Sequence, residues 1–322
     1  MKRKSEKTLF LGNGFSRAVC KCMKPWGGLL DSEESHIKNY TVLYEVGYLK
    51  KTKNGNDELD VKKQLMDNIR CSIEFKEEYY QDIDLFGKNL ERLNITNIIT
   101  TNYDGIIEDI LERCKYKQEK NEISYPEEEI YSVRRKKQYY CCISNHKITL
   151  WKIHGDGIGP DLCKTLTLGL DHYCGYIARL SDYIKGKYES HNGNPTCDIE
   201  IEKKCLNNSL GVKLWDDLSW VELFFKTDLY ISGFGMDFSE IDIWWLINRR
   251  ARIIRKHIRN GDFHLNNICY LYSSCYDYKK KDIIEALEAF YVRCHGISTC
   301  ANYINNLFKA IDEIDTSMPI SC

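Results

Sequence analysis

A histidine, an asparagine, an aspartate and two pairs of glycines fall where short apolar runs of this chain stop, and that placement gives them chemical interest. Gly12-Asn13-Gly14-Phe15-Ser16-Arg17 follows the run Thr8 to Leu11, and Thr100-Thr101-Asn102-Tyr103-Asp104 closes one that begins at Asn97. Lys152-Ile153-His154-Gly155 closes another from Ile148, and Ser232-Gly233-Phe234-Gly235 closes a fourth from Asp228. In open α/β sheets the carboxyl ends of neighbouring strands converge on one crevice, so groups far apart in sequence can share a ligand there.

Each segment has its own chemistry and its own plainer explanation. In the first, Gly12 and Gly14 let backbone approach a phosphate, a helix from Arg17 onward would offer unpaired N–H groups, and Arg17 suits a phosphate oxygen. Gly12, Asn13, Gly14, Phe15, Ser16 and Arg17 are therefore candidate binding residues, although two glycines between a strand and a helix also serve as ordinary punctuation. In the second, Thr101 reads either as a ligand contact or as a β-former, and Asp104 either as a ligand contact or as a helix cap. Asn102 is harder to dismiss, because an amide at the tip of a buried strand is costly unless its donors and acceptors are used. His154 ends its strand with a ring whose pKa near neutrality suits a general base, though a lone histidine also serves structure. Gly233, Phe234 and Gly235 again give access to backbone. Asp237, Glu240 and Asp242 follow them, either as partners of ribose hydroxyls or as acids favoured at a helix start, the second account fitting Glu240 better than Asp237.

The elements that must hold these tips are legible in the pattern. Runs at Thr8 to Leu11, Asn97 to Thr101, Ile148 to Ile153, Asp228 to Ser232 and Asn267 to Tyr272 are continuously apolar, as strands buried on both faces are. Helical periodicity follows at Gly105 to Cys114, at Ser239 to Asn260 with Ser239 as N-cap, at Lys279 to Tyr291 and at Asn302 to Ile314. This predicts an α/β fold: a Rossmann-like, doubly wound, mainly parallel sheet in a single domain over residues 1–322. Residues 33–93 and 161–223 read as helical insertions forming a lobe beside the sheet, and the charged, Tyr-rich stretch 115–147 as a hairpin or surface excursion. Trp244 and Trp245 fit either core or an interface.

Composition narrows the class. With 322 residues and 43% hydrophobic content the chain can bury a large core. No stretch reaches the roughly 18 apolar residues of a membrane span, and the basic N-terminus runs into a glycine loop without a secretory apolar segment, so a cytoplasmic protein is expected. A formal charge of -1 gives no reason to expect direct nucleic-acid binding. None of the 15 cysteines forms a CxxC pair, so no zinc or other metal is expected and the thiols read as free.

Taken in order, LGNGFSR, TTNYD, KIHG and SGFG resemble the sirtuin-like family, in particular its divergent bacterial branch found in antiviral defence systems. The first corresponds to the family's Gly-rich NAD loop, TTNYD to its Asn-containing strand end, KIHG to the segment bearing its histidine, and SGFG to a small-residue turn that contacts NAD. GFGMDFSEIDIWWLINRRAR is similar to a stretch of the bacterial members. The chain departs from protein-deacylating sirtuins in lacking their four-cysteine zinc module, and its GNGFS opening is similar to that of an abortive-infection family that shows FNYT where this chain has TNYD. The resemblance implies that NAD is the substrate and is cleaved to nicotinamide and ADP-ribose, with Asn102 and His154 catalytic and Gly12, Asn13, Gly14, Phe15, Ser16, Arg17, Thr101, Asp104, Gly233, Phe234, Gly235 and Asp237 binding it. It further implies a homo-oligomer depleting NAD during phage infection, triggered by a phage component or a partner such as an ATPase. The alternatives are an NAD-dependent protein deacylase and a non-catalytic NAD or ADP-ribose sensor.

Overall fold

The computed structural model describes residues 6–21, 23–30, 37, 39–52, 57–70, 74–77, 79–119, 131–158, 162–189, 198–209, 211–212, 214–215, 219–258, 263, 265–275, 280–299 and 302–317. Its strands are β1 (Lys7–Leu11), β2 (Ile95–Thr100), β3 (Tyr116–Gln118), β4 (Lys136–Cys141), β5 (Lys147–Lys152), β6 (Asp228–Ser232), β7 (Ile268–Ser273) and β8 (Arg293–Ile297). Between β1 and β2 lie α1 (Asn13–Val19), α2 (Trp26–Leu29), α3 (Tyr40–Thr52), α4 (Glu58–Arg70) and α5 (Tyr79–Arg92), and α6 (Ile106–Arg113) follows β2. Then come α7 (Leu170–Ile184), α8 (Ile201–Ser209) and α9 (Leu223–Lys226) before β6, α10 (Ile241–His257) after it, and α11 (Lys281–Ala289) and α12 (Tyr303–Ser317) around β8. Among the described residues no helix is long and apolar enough to cross a membrane.

The strands form one sheet in the order β3-β4-β5-β2-β1-β6-β7-β8. From β5 through β8 all neighbours are parallel, while β4 runs antiparallel to both β3 and β5. The chain builds outward from β1 through β2 to β5, then returns to the other side of β1 for β6, β7 and β8. That reversal puts the topological switch between β1 and β6, the place where a doubly wound sheet opens a ligand crevice.

Alternate residues feed two cores, because successive strand side chains point to opposite faces. Leu9, Leu11, Ile98 and Leu150 join the core covered by α1, α4, α5, α6 and α12. Phe10, Ile99, Trp151 and Ile231 join the one covered by α7 to α11. This two-sided burial explains the continuous apolar runs of the strands. Trp244 and Trp245 pack, partly buried, against the second core.

Several elements differ from the sequence reading for identifiable reasons. Helix α1 begins at Asn13, four residues before Arg17, with Gly12 as its extended N-cap. Glu240, not Ser239, caps α10; both the N–H and the hydroxyl of Ser239 bond Asp237 Oδ1, at 2.8 and 2.6 Å, which holds Ser239 in the preceding turn. Strand β8 carries Arg293, His295 and Gly296 at the sheet edge, so it has no apolar run to announce it. Of the two alternatives for 115–147, the described residues show the antiparallel pair β3 and β4 of the hairpin reading, which extends the sheet; residues 120–130 lie outside the described residues. Within 33–93, α5 covers the sheet itself through fully buried Phe86 and Leu90, and is not a helix standing beside it.

The turns after β1 and β6 meet backbone to backbone. Gly12 N–H donates to Ser232 O at 3.1 Å, and Gly14 N–H to Gly233 O at 2.6 Å. A Cβ on Gly12 or Gly14 would stand 2.7 or 2.6 Å from Gly233 O, and one on Gly233, whose φ is +63, would stand 2.4 Å from Phe15 N. Replacing Gly233 with alanine is therefore expected to lower the unfolding free energy by about 3 kcal/mol or more. Gly211→Ala, at a φ of +79 with nothing within 4 Å, should cost only about 1 kcal/mol, and urea midpoints of the two variants compare strain with and without a clash.

Candidate functional site

A cavity of about 370 Å³ opens at the carboxyl ends of β1 and β6. Asn13, Gly14 and Arg17 line it together with the adjoining turn Gly233, Phe234, Gly235 and Asp237, and with Thr101. A second cavity, about 30 Å³, is walled by His154, Tyr103, Thr167, Leu168 and Tyr173. Tyr40, Thr101 and Glu240 line both, so the small cavity is a side chamber of the crevice.

His154 follows β5 and is 2% exposed. Its Nε2 lies 2.8 Å from Oδ2 of Asp242, a fully buried carboxylate in the first turn of α10. With Nε2–H donated to Asp242, Nδ1 is left as the acceptor; it faces the Tyr173 hydroxyl at 3.5 Å and Glu240 Oε2 at 3.8 Å. The Tyr173 hydroxyl in turn donates to Glu240 Oε2 at 3.0 Å. Burial pulls the His154 pKa down, but Asp242 and then Glu240 more than reverse it, leaving the ring above its ordinary value. Glu240 is pushed up to about 7 by burial, partly offset by His154.

Asn102 lies below the crevice floor, 2% exposed. Its Nδ2 donates to Ser16 Oγ at 2.9 Å, and Ser16 Oγ donates to Asp104 Oδ2 at 3.0 Å. Asp104 Oδ1 accepts the Ile106 N–H at 3.1 Å, a cap-like bond at the start of α6, and burial raises this carboxyl despite the opposing Lys152 charge. The remaining Asn102 atom, Oδ1, is buried without a partner among the described residues, as is Asp242 Oδ1. Unused buried acceptors are costly in a finished core. They are useful where something else supplies the donor.

The loops bearing Asn102 and His154 are tied together by charge. Lys152, the last residue of β5, donates to Asp104 O at 2.6 Å and reaches Glu108 Oε1 at 3.0 Å and Asp156 Oδ1 at 3.1 Å. Lys137 on β4 completes the set, 3.0 Å from Glu108 Oε1 and 2.6 Å from Asp156 Oδ2. Burial alone would raise Asp156, yet the two ammonium groups bring it down to about 2. Lys152, buried in spite of its charge, is held above its ordinary pKa by Glu108, Asp156 and Asp104.

Of the residues named from sequence, Asn13, Gly14, Arg17, Thr101, Gly233, Phe234, Gly235 and Asp237 line the crevice and His154 its side chamber. Gly12, Phe15, Ser16, Asn102 and Asp104 lie behind that lining. Phe15 is a correction: its ring is fully buried against Phe86 and Tyr303, because the first turn of α1 points it into the core. Gly12 and Ser16 likewise spend their polar groups on protein partners. Glu240 does stand at the start of α10, as the helix-start account has it, and its carboxylate also walls the chamber beside His154. Tyr173 was missed. It sits on α7 at a spacing that core aromatics share, so nothing local set it apart.

The cysteines after Gly155 do not converge. Cys163 joins one core and Cys205 the other, on opposite faces of the sheet, while Cys174 is exposed and Cys197 lies outside the described residues. They do not fit a four-cysteine zinc module. His154, Glu240 and Asp242 do place ligand-type atoms within 4.8 Å of one another. The His154–Asp242 and Tyr173–Glu240 hydrogen bonds engage Nε2, Asp242 Oδ2 and Glu240 Oε2, while Asp242 Oδ1 has no partner among the described residues.

Residues 96–194, from β2 past α7 and including Asn102 and His154, match the SIR2-like domain family. That stretch is sirtuin-like. Such domains use NAD, and the crevice lies where a doubly wound sheet holds a dinucleotide. No curated protein matches the chain.

The charge cluster beneath this sirtuin-like site carries a pH signature. A folded pKa of about 2 for Asp156 lies below the ordinary ~3.9, so its ionised form stabilises the fold above pH ~4 and that contribution is lost as pH falls through about 2. Asp156→Asn should flatten this acid limb in urea titrations. At neutral pH it should cost about 3 kcal/mol by leaving the buried Lys152 ammonium and the half-buried Lys137 short of a partner.

Proposed function

We propose that this sirtuin-like domain hydrolyses NAD at the nicotinamide–ribose bond, giving nicotinamide and ADP-ribose. The observation that carries the reading is the side chamber, where a buried imidazole paired with a carboxylate opens into a dinucleotide-sized crevice at the switch point. A dinucleotide laid past Gly14 and Arg17 would bring its reacting ribose to Thr101 and His154.

The chemistry asks little of an acid. Nicotinamide leaves as a neutral ring from a cationic bond, and the transition state resembles an oxocarbenium ion, so positioning, water placement and nearby negative charge matter most. Asp242 and Glu240 supply that charge beside the chamber. His154 Nδ1 takes the proton of the attacking water or of a ribose hydroxyl, and Asp242 fixes the ring by holding Nε2–H. Asn102, which lies behind the lining, holds Ser16 Oγ and so helps to position the turn after β1 that the dinucleotide passes. In a bacterial cell the consequence would be depletion of NAD, and the resemblance to defence proteins supports an oligomer released by a phage component or a partner such as an ATPase.

Purified protein given NAD alone is expected to release nicotinamide, and His154→Ala to lower the rate by roughly 10²- to 10⁴-fold. Strict dependence on an acylated peptide would replace hydrolysis with deacylation. Release should survive chelation by EDTA; loss restored by a divalent cation would instead place a metal among His154, Glu240 and Asp242.

The base must be neutral, and its pKa is raised, so the rate should climb with pH through the neutral range and level off on the alkaline side. Asp242→Asn removes the group that does most to raise it. The acid limb of the pH–rate profile should then move to lower pH while the plateau falls.

A further inference from the structure

The two ends of the crevice differ in charge. At the end near His154, Asp237, Glu240 and Arg17 all act on the Tyr40 hydroxyl, so both carboxylates of the lining are gathered there. The opposite end is built by Tyr272 and Ser273 from β7, Thr299 beyond β8, and Lys280 just before α11. From β5, which delivers His154, to β7 is four strand spacings in the sheet order, about 19 Å, the reach of an extended dinucleotide. If the nicotinamide ribose is at His154, the adenosine is at Lys280.

Lys280 is a partly buried cation with no counter-charge among the described residues. Its Nζ donates to the Tyr270 hydroxyl at 2.8 Å and lies 5.5 Å from that ring; among the described residues no carboxylate pairs with it. Burial lowers its pKa. Lining the same cavity, Ser273 Oγ and Thr299 Oγ1 are 2.6 Å apart, and of the two hydroxyls one keeps a proton to donate outward. An ammonium and hydroxyls around open space are the donors that a phosphate dianion takes. Dinucleotide sites exclude a 2′-phosphate with a carboxylate on the ribose and accept it with a cation.

Resting on the reading of the crevice as an NAD site, we infer that Lys280, Ser273 and Thr299 form a seat for a phosphomonoester on the adenosine ribose, so that the substrate class includes the 2′-phosphorylated dinucleotide, NADP. The seat discriminates at the adenosine end and takes no part in the bond cleavage.

Binding separates this from the hydrolytic reading. Calorimetry with ADP-ribose and 2′-phospho-ADP-ribose, on the full chain and on Lys280→Ala and Lys280→Arg, is run beside nicotinamide release from NAD and NADP. The wild type is expected to bind the phosphorylated ligand tighter by about tenfold, Lys280→Ala to lose that preference, and Lys280→Arg to keep it. A wild type that prefers the unphosphorylated ligand overturns the seat. Equal losses on both ligands in Lys280→Ala also overturn it, placing the lysine on the shared pyrophosphate or adenine. A Lys280-dependent preference without release from either dinucleotide would sustain the seat and remove hydrolysis; release from NAD without the preference would do the reverse. Should Lys280→Ala fail to fold, the wild-type preference and the Lys280→Gln variant decide the same question.

Discussion

The Lys152 ammonium is the interaction on which the site's geometry rests. A charge this buried is costly to desolvate, and it is stable only because Glu108 and Asp156 meet it and the Asp104 carbonyl accepts a further proton. Those partners come from α6, from the turn after β2 and from the turn after β5. A single side chain therefore fixes the distance between the strand end that presents Asn102 and the one that presents His154. Apolar packing of similar volume would be non-directional. It could stabilise these loops, but it would not set their mutual position to hydrogen-bond precision. Lys137, from the antiparallel strand β4, shares the same two carboxylates, so an added edge strand also serves the site.

The fold was legible where burial dictates composition. Strands covered on both faces carry few polar residues between their ends, so β1, β2, β5, β6 and β7 announced themselves as largely apolar runs, and their order with intervening helices implied a doubly wound sheet. Strand β8 and the β3–β4 pair sit at the edges, where that requirement lapses, and their polar composition hid them. The start of α10 misled for a related reason. Ser239 is a good cap by type, but Asp237 captured it locally and left Glu240 to begin the helix.

The site was legible as positions at strand ends and less so as roles. Sequence could place Ser16 and Asn102 at neighbouring tips, but not that one amide and one hydroxyl would bond each other beneath the surface. It could place glycines in the two turns. Their contact with each other, in place of a phosphate, depends on β1 and β6 being neighbours, which local pattern does not encode. Tyr173 and Lys280 reach the crevice from α7 and from the approach to α11, elements whose orientation only the assembled sheet defines.

The acids that flank His154 gain their meaning from where α10 begins. A helix N-terminus presents positive potential and normally lowers the pKa of a nearby carboxylate. At Glu240 burial is the larger effect and the carboxyl rises to about 7, so desolvation outweighs the dipole at this cap. Asp242, two residues further on, is placed by the helical turn against Nε2, while Glu240 remains on the Nδ1 side with Tyr173 between. One imidazole is thus held from both nitrogens by unlike arrangements, a direct hydrogen bond on one side and a longer, hydroxyl-bridged approach on the other. The direct bond fixes the tautomer. The looser side leaves Nδ1 open toward the chamber, which is the orientation a base needs if its proton is to come from the ligand and not from the fold.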